Sequence, residues 1–402
     1  MAVDNRMIGG VLLVSGTTIG AAMLALPVST GLAGFIPTAC LFVGYWALMT
    51  YTALLMLEVT LWNKSTTNLV SMTYSTLGRW GESVAWVLYL FLLYSLTTAY
   101  MAGSSPIFRD VVRSATGYLM PAWAGPLPLL LIFGIFVYQG TRAVDMINRI
   151  LMIGLVVAFA AMVAIIAPSV EKKLLYHIEW RYLVVSVSLV ATSFGFHIII
   201  PTLTAYMDHD VAKLRRAILI GSVIPLFVYM IWNGLALGVI PISGPDGIIN
   251  GYTKGSNGVQ LLTAILGTTQ VTIIGRFFLF FAIVTSFLGV SLSLRDFLAD
   301  GLGIEETPKG RVVLYLLTFF PPLIVVWTSQ RAFLSALEFA GAFGVVTLLG
   351  ILPAMMAWSG RYKKKFLSEY ETPGGKPALV IVMIVCICVI FIEIINKIGL
   401  IE

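Results

Sequence analysis

The sequence predicts an all-helical, polytopic membrane protein, and three observations support that prediction. Of 402 residues, 59% are hydrophobic and only 11% charged, against roughly 25% charged in soluble domains. Mean hydropathy is +0.95. Apolar runs of about 20 residues, each enough to cross a hydrocarbon core of ~30 Å, recur along the whole chain. A transmembrane barrel would instead show alternating segments of about 10 residues.

Eleven spans can be drawn, over 7–29, 34–57, 84–105, 127–145, 149–168, 183–204, 216–241, 277–298, 311–328, 332–357 and 378–396. The stretch 258–275 is mixed in polarity and reads as a helix lying in an extramembrane loop. The first run leads straight into the second with no small-residue cleavage site between them, so it reads as a retained span. With the N-terminus inside, sixteen Lys and Arg, Lys64 among them, flank the inner face and nine the outer. That bias predicts a cytoplasmic N-terminus and an outer C-terminus. "DVAKLRRA" and "RYKKKF" are the clearest inner loops, and they fit a topology signal and contact with membrane lipid. The net charge of +6 needs no nucleic acid to explain it. Cys40, Cys386 and Cys388 lie in apolar runs without ligand spacing, so neither a metal site nor a disulfide framework is expected. No linker separates a soluble domain. A single membrane domain acting as a monomer is expected.

The first span has an odd centre. "VSGTTIGAAMLALP" places Ser15, Gly16, Thr17, Thr18, Ile19 and Gly20 at the depth where good helix formers belong. Five spans later "VATSFGFHIIIP" repeats the plan with Thr192, Ser193, Phe194, Gly195, Phe196 and His197. Spans five apart cross the membrane in opposite directions, so paired interruptions point to an inverted repeat with a central site. An unpaired backbone group in hydrocarbon costs several kcal/mol, and a break persists where something polar fills it. Free amides at the start of the outer half-helix, near Thr18 to Gly20, suit a carboxylate. Free carbonyls near Val14 to Gly16 and Ala191 to Ser193 suit an ammonium group or a cation. A zwitterionic amino acid supplies both charges. The bland alternative is close helix packing, for which Gly16 and Gly20 also have the right spacing.

"NRMIGGVLLVSGTTIGAAMLALPVSTGLAGFIPT" resembles the first span of the hydroxy and aromatic amino acid permeases. "FGFHIIIPTLTAYM" resembles their sixth span and "ALEFAGAFG" their tenth. The similarity runs over the whole chain and is greatest toward the tyrosine and tryptophan permease branch. The resemblance implies the LeuT-like, five-plus-five inverted repeat of the amino acid, polyamine and organocation superfamily. It places repeat one at about 7–168, repeat two at about 183–357 and an extra helix at about 378–396. It implies a bacterial inner-membrane carrier that takes up tyrosine or tryptophan with a proton, and no cofactor. It also carries Gly16 to Gly20 and Ser193 to His197 over as substrate-contacting stretches.

The third and eighth spans close the site in that superfamily. Here they offer Tyr94, Ser95, Thr97 and Thr98, and Phe281, Thr285, Ser286 and Phe287. Of these, Tyr94, Thr98, Phe281 and Thr285 are the expected pocket residues. Two ionisable groups at depth, Glu338 in the tenth span and His197, are the expected proton carriers. Both also fit a structural or bonding role. Glu58, Asp145, Asp296 and Glu393 fall near span ends, where interfacial anchoring is expected. Ser291 and Ser293 form the hydroxyl pair expected to ligate sodium, the alternative coupling ion. A serine- or threonine-type substrate is the alternative to an aromatic one. One charge moving through ~100 mV releases about 2.3 kcal/mol, enough to concentrate substrate roughly 50-fold. A channel would need a continuous polar stripe. An enzyme would need a nucleophile–base or metal spacing that the scattered His177, His197 and His209 do not supply.

Overall fold

The computed structural model describes residues 5–62, 68–305, 307–329, 331–367 and 369–398. Lys64, counted above toward the inner face, lies outside them. Every regular element among the described residues is helical. Ten helices are long and apolar enough to span a membrane, and a bent pair supplies the eleventh.

The first span is two helices, α1 (Asn5–Thr18) and α2 (Ala22–Thr30), meeting at 54°. The ladder runs as far as the Ile19 amide on Ser15 O (2.9 Å) and resumes with the Met23 amide on Gly20 O. The break therefore covers Ile19 to Ala21, the end of the expected Gly16–Gly20 stretch and one residue beyond it. Gly16, Thr17 and Thr18 remain helical. The Thr17 and Thr18 hydroxyls bond back to Leu13 O and Val14 O (both 2.7 Å), the usual fate of a threonine inside a membrane helix.

The second span is α3 (Phe35–Leu61), and the third is α4 (Leu69–Thr116), longer than expected. Its first turns, opened by an Asn68/Ser71 capping box, are set off by a kink at Gly78. There φ is +78°, a conformation that favours glycine. Helices α5 (Leu127–Gln139) and α6 (Thr141–Ile166) divide at Gly140, not near 145–149. The polar stretch expected as a loop instead forms the opening turns of α6, held by an Asp145–Arg149 ion pair at i,i+4 (2.8 Å).

The sixth span breaks between α7 (Leu183–Ser193) and α8 (Ile200–Tyr206), with a 3₁₀ turn His197–Ile199 between them. Helix α9 (Val211–Leu237) follows. Two short helices, α10 (Ile248–Lys254) and α11 (Gly258–Leu266), lie in the next loop. The expected loop helix over 258–275 thus ends early, at Gly267, and Thr268 caps α12 (Thr269–Leu302). Next comes α13 (Pro308–Thr328). The tenth span is α14 (Ala332–Phe339), a π-helical stretch Ala340–Ile351, and α15 (Leu352–Trp358). The eleventh is α16 (Gly375–Ile398), which packs on α7, α15 and the π-helical stretch.

Two carboxylates expected at interfaces are buried instead. Glu58 is fully buried, clasped by Arg361 at 2.5 and 2.7 Å and by the Thr372 amide at 2.8 Å. Glu393 is 2% exposed, deep between α16 and α7. Asp145 and Asp296 are outside the core, as expected of anchoring residues.

Candidate functional site

The two breaks lie on one cavity of about 510 Å³, within the usual range for a small-molecule site. Gly16, Thr17, Thr18, Ile19 and Gly20 line it from the first span, and Thr192 and Gly195 from the sixth. Its far walls come from α4, α6, α12 and the π-helical stretch. No charged side chain lines it among the described residues. Leu12 and Leu13, both exposed, line it as well.

The first break presents its amide end to this cavity. Ser286 Oγ accepts from the Ala21 amide (2.9 Å), and the Tyr100 hydroxyl lies against Ser286. A Cβ at Gly20 would come within 3.0 Å of Ser286 Oγ, whereas one at Gly16 would meet only the Met152 methyl, at 3.8 Å. With the Ala21 amide turned to Ser286, Thr17 O loses its i+4 partner, as does Gly16 O where the ladder stops.

The carbonyl ends of α1 and α7 converge behind the cavity. The Tyr229 hydroxyl on α9 reaches both Thr18 O (2.6 Å) and Ser193 O (2.9 Å). One phenolic proton thus lies between two helix C-termini that would otherwise attract a cation. Tyr229 is not legible in the sequence as a functional residue, because nothing in a lone tyrosine of the seventh span points to two distant carbonyls.

The sixth break turns most of its side chains away. Phe194 is buried edge-on against Phe42 and Tyr229 (6.0 and 5.3 Å between centroids). Phe196 is equally buried, beside the His197 ring. His197 Nε2 is bonded to Thr52 Oγ1 (2.8 Å) on α3. Ser15 and Ser193 are buried and bond back to their own helices. None of these five residues reaches the cavity.

On α4 the expected pair faces elsewhere. Tyr94 donates to Leu317 O on α13 (2.8 Å), and Thr98 bonds back to Tyr94 O (2.8 Å). The cavity face is Tyr89, Leu92, Leu93, Leu96 and Tyr100. On α12, Thr285 lines the cavity, while Phe281 packs on Gly154 of α6 and on Phe277 and Phe280. Ser286, Gly289 and Val290 line it as well, as do Asn148 and Met152 of α6.

Ser291 and Ser293 do not converge. They are two residues apart on the unbroken α12, hence about 200° apart around its axis. Ser293 faces the cavity and Ser291 is buried elsewhere. Glu338 lies outside the cavity too. It is 2% exposed, and Lys397 Nζ holds its Oε2 at 2.6 Å.

A model of the tryptophan/tyrosine permease family matches residues 3–393. "Tyrosine-specific transport system 1" of Haemophilus influenzae is 34% identical over 94% of both chains. A "Tryptophan-specific transport protein" of Pseudomonas aeruginosa is 31% identical over 94% of this chain and 92% of its own. Among solved structures, MhsT in complex with L-phenylalanine superposes with a TM-score of 0.66, covering 96% of this chain and 98% of its own at 15% identity. That likeness bears out the expected LeuT-like architecture.

Proposed function

The chain belongs to the tryptophan/tyrosine permease family, and on that premise we propose that it takes up tyrosine or tryptophan with a proton, by alternating access. As a permease it is a multi-pass membrane protein and not an enzyme. The observation that supports the reading is a cavity of about 510 Å³ without charged lining, on which both helix breaks open. A zwitterion brings two charges that cancel, and main-chain dipoles can meet both without a buried ionic side chain.

In this reading the carboxylate lies at the amide end of α2, by Gly20 and Ser286. The ammonium lies at the carbonyls of Gly16 and Thr17. The aromatic ring lies among Tyr89, Leu92, Leu96 and Leu349, with Met152 opposite. Tyr229 takes the carbonyls of Thr18 and Ser193, of which only that of Ser193 was among those the sequence offered to the ammonium. Aromatic preference follows from the apolar walls and from the names of the relatives; a serine-type substrate would leave that wall unfilled. The proton is favoured over sodium because the Ser291/Ser293 pair is split between two faces of α12.

The basic-residue bias puts the N-terminus in the cytoplasm and the C-terminus outside, in a bacterial inner membrane; the exposed Leu12 and Leu13 belong to the inner half of the first span, so in this reading the cavity opens inward. One turn beyond Tyr100, Phe333 packs on Gly103, where a Cβ would come within 2.9 Å of the ring. Beyond that contact lies an outer vestibule of about 750 Å³. The two halves, about 7–168 and 183–357, rock about the cavity in a monomer surrounded by lipid, and Phe333 parts from Gly103 in the outward-facing state.

The test is uptake of radiolabelled tyrosine, tryptophan, phenylalanine and serine by liposomes under an imposed pH or sodium gradient. The expected result is accumulation of an aromatic amino acid under the pH gradient alone. Uptake of serine only, or dependence on sodium only, would overturn the reading.

A further inference from the structure

Behind the cavity, between α7 and α16, lies a buried carboxylate that substrate binding does not use. Glu393 Oε2 accepts from the Ser188 hydroxyl of α7 (2.7 Å). Its Oε1 is buried without a hydrogen-bond partner. The nearest cation, Lys397 Nζ, is 3.5 Å from Oε1 but 2.6 Å from Glu338 Oε2. One lysine thus serves two buried carboxylates and sits closer to Glu338.

Other polar groups flank this pair of carboxylates. On its outer side, Tyr252 of α10 donates to Glu338 Oε1 (3.3 Å), and the Arg331 guanidinium lies 4.5 Å from the Tyr252 ring centre. Burial, and then the Glu338 charge, hold the Tyr252 phenol above its usual range. On its inner side, α3 contributes Tyr45, whose hydroxyl is buried, without a partner, and within electrostatic reach of Glu393. On α16 itself the Cys386 thiol lies two turns away. The π-helical stretch and α15 bring no titratable side chain. Glu338 therefore has Lys397, Tyr252 and Arg331 around it. Glu393 has one hydroxyl donor and a distant share of one lysine.

Resting on the proton-symport reading above, we propose that Glu393, not Glu338, carries the coupling proton, and that Ser188 transmits its state to α7. Oε1 is the carboxylate oxygen without a hydrogen-bond partner, and it is where a proton arriving from the outer side binds. The ionised group needs the Ser188 hydroxyl as a donor and Lys397 as a counter-charge. Once protonated it needs neither, and its own O–H can turn to Ser188 or Tyr45. Helix α7 is the half-helix whose end forms the sixth break and whose last carbonyl is tied through Tyr229 to Thr18. Loosening α7 from α16 therefore reaches both breaks without a charge entering the substrate cavity. On inward release the proton leaves Glu393 along the α3 side, where Tyr45 lies and where His197 is bonded to Thr52 two turns further on.

The test uses the full chain in liposomes, with labelled tyrosine or tryptophan. A gradient of about two pH units can drive up to roughly 100-fold accumulation with one proton. E393Q, which mimics the protonated side chain, is expected to exchange substrate across the membrane but to lose gradient-driven accumulation. E393D is expected to restore part of it, and E338Q to keep more than about half of the wild-type level, since Glu338 does not carry the proton, with its pH midpoint moved down because the freed Lys397 then favours ionised Glu393. Should E393Q not be recovered folded, S188A is expected to move the pH midpoint of uptake by at least about half a unit, because a hydrogen bond to a charged group is lost. Gradient-driven accumulation by E393Q equal to wild type, or an unmoved midpoint in S188A, overturns the assignment. Absence of any gradient-driven accumulation by the wild type overturns the symport reading itself, and this assignment with it.

Discussion

The two helix breaks look alike in sequence and differ in what they face. At the first, Gly16 to Gly20 all line the cavity, and the amide end of α2 is capped from across it by Ser286. At the second, Phe194, Phe196 and His197 turn into the scaffold, against α3 and α9, leaving Thr192 and Gly195 on the cavity. The comparison teaches that a broken helix has two uses. One break offers bare backbone to a ligand. The other gives up its backbone regularity so that a half-helix can be held, and moved, by its neighbours. Tyr229 joins the two by bonding to the carbonyl end of each.

The largest effect that would test this difference is expected at Gly20. In G20A the new Cβ would crowd Ser286 Oγ at 3.0 Å, and the hydroxyl is expected to give way and lose its bond to the Ala21 amide. Losing a buried main-chain partner costs about 1–3 kcal/mol, so substrate affinity is expected to fall by tenfold or more on the scale of about 1.4 kcal/mol per decade. G195A places its Cβ 3.1 Å from the end of the flexible Leu349 side chain, which can swing aside, and G16A meets only Met152. Both are expected to stay within about threefold of wild type by that same scale. Binding titrations on the purified variants decide the matter; equal losses at Gly20 and Gly195 would mean that the breaks share one role.

An intermediate effect is expected where the breaks are tied together. Y229F keeps the ring packed against Phe42 and Phe194 but removes the proton between Thr18 O and Ser193 O. Two buried carbonyls at helix C-termini are then left facing each other, at a cost of about 1–3 kcal/mol. A cation is the natural replacement. Uptake by Y229F is expected to fall about tenfold, on the scale of 1.4 kcal/mol per decade, and to become sensitive to sodium or potassium, a dependence not expected of the wild type. Wild-type uptake with no new cation dependence would remove Tyr229 as the link.

How much of this could be read from the sequence follows from the same physics. The eleven spans and both breaks were legible, because apolar length and Gly/Thr clusters act locally. The first break begins three residues later than the expected Gly16–Gly20 stretch does, because helix α1 tolerates Gly16 and satisfies Thr17 and Thr18 by back-bonding. On α4 the polar residues pointed to the wrong face. Tyr94 and Thr98 find their partners in helix carbonyls, while the cavity takes the Tyr89, Leu92, Leu96 and Tyr100 stripe, which periodicity alone cannot distinguish from a lipid-facing one. Glu393 read as an anchor because distance to a span end says nothing about which helix covers it. Tyr229 and Ser286 act across more than two hundred residues, on Thr18 and Ala21 respectively, and no local pattern records such a pairing.

The smallest effect is expected at Phe194, and it sharpens the comparison most narrowly. The ring is 1% exposed and meets Phe42 and Tyr229 edge-on, so its work is packing between α7, α3 and α9. F194L removes that edge-on geometry and some volume. The loss is expected to be about 1–2 kcal/mol of stability, seen as a lower thermal unfolding midpoint in detergent. Because no atom of Phe194 lines the cavity, KM for the aromatic substrate is expected to stay within about twofold, well under 1 kcal/mol. If instead KM rises tenfold for tyrosine and not for a smaller amino acid, the ring swings into the cavity during transport. The second break would then bind substrate as directly as the first.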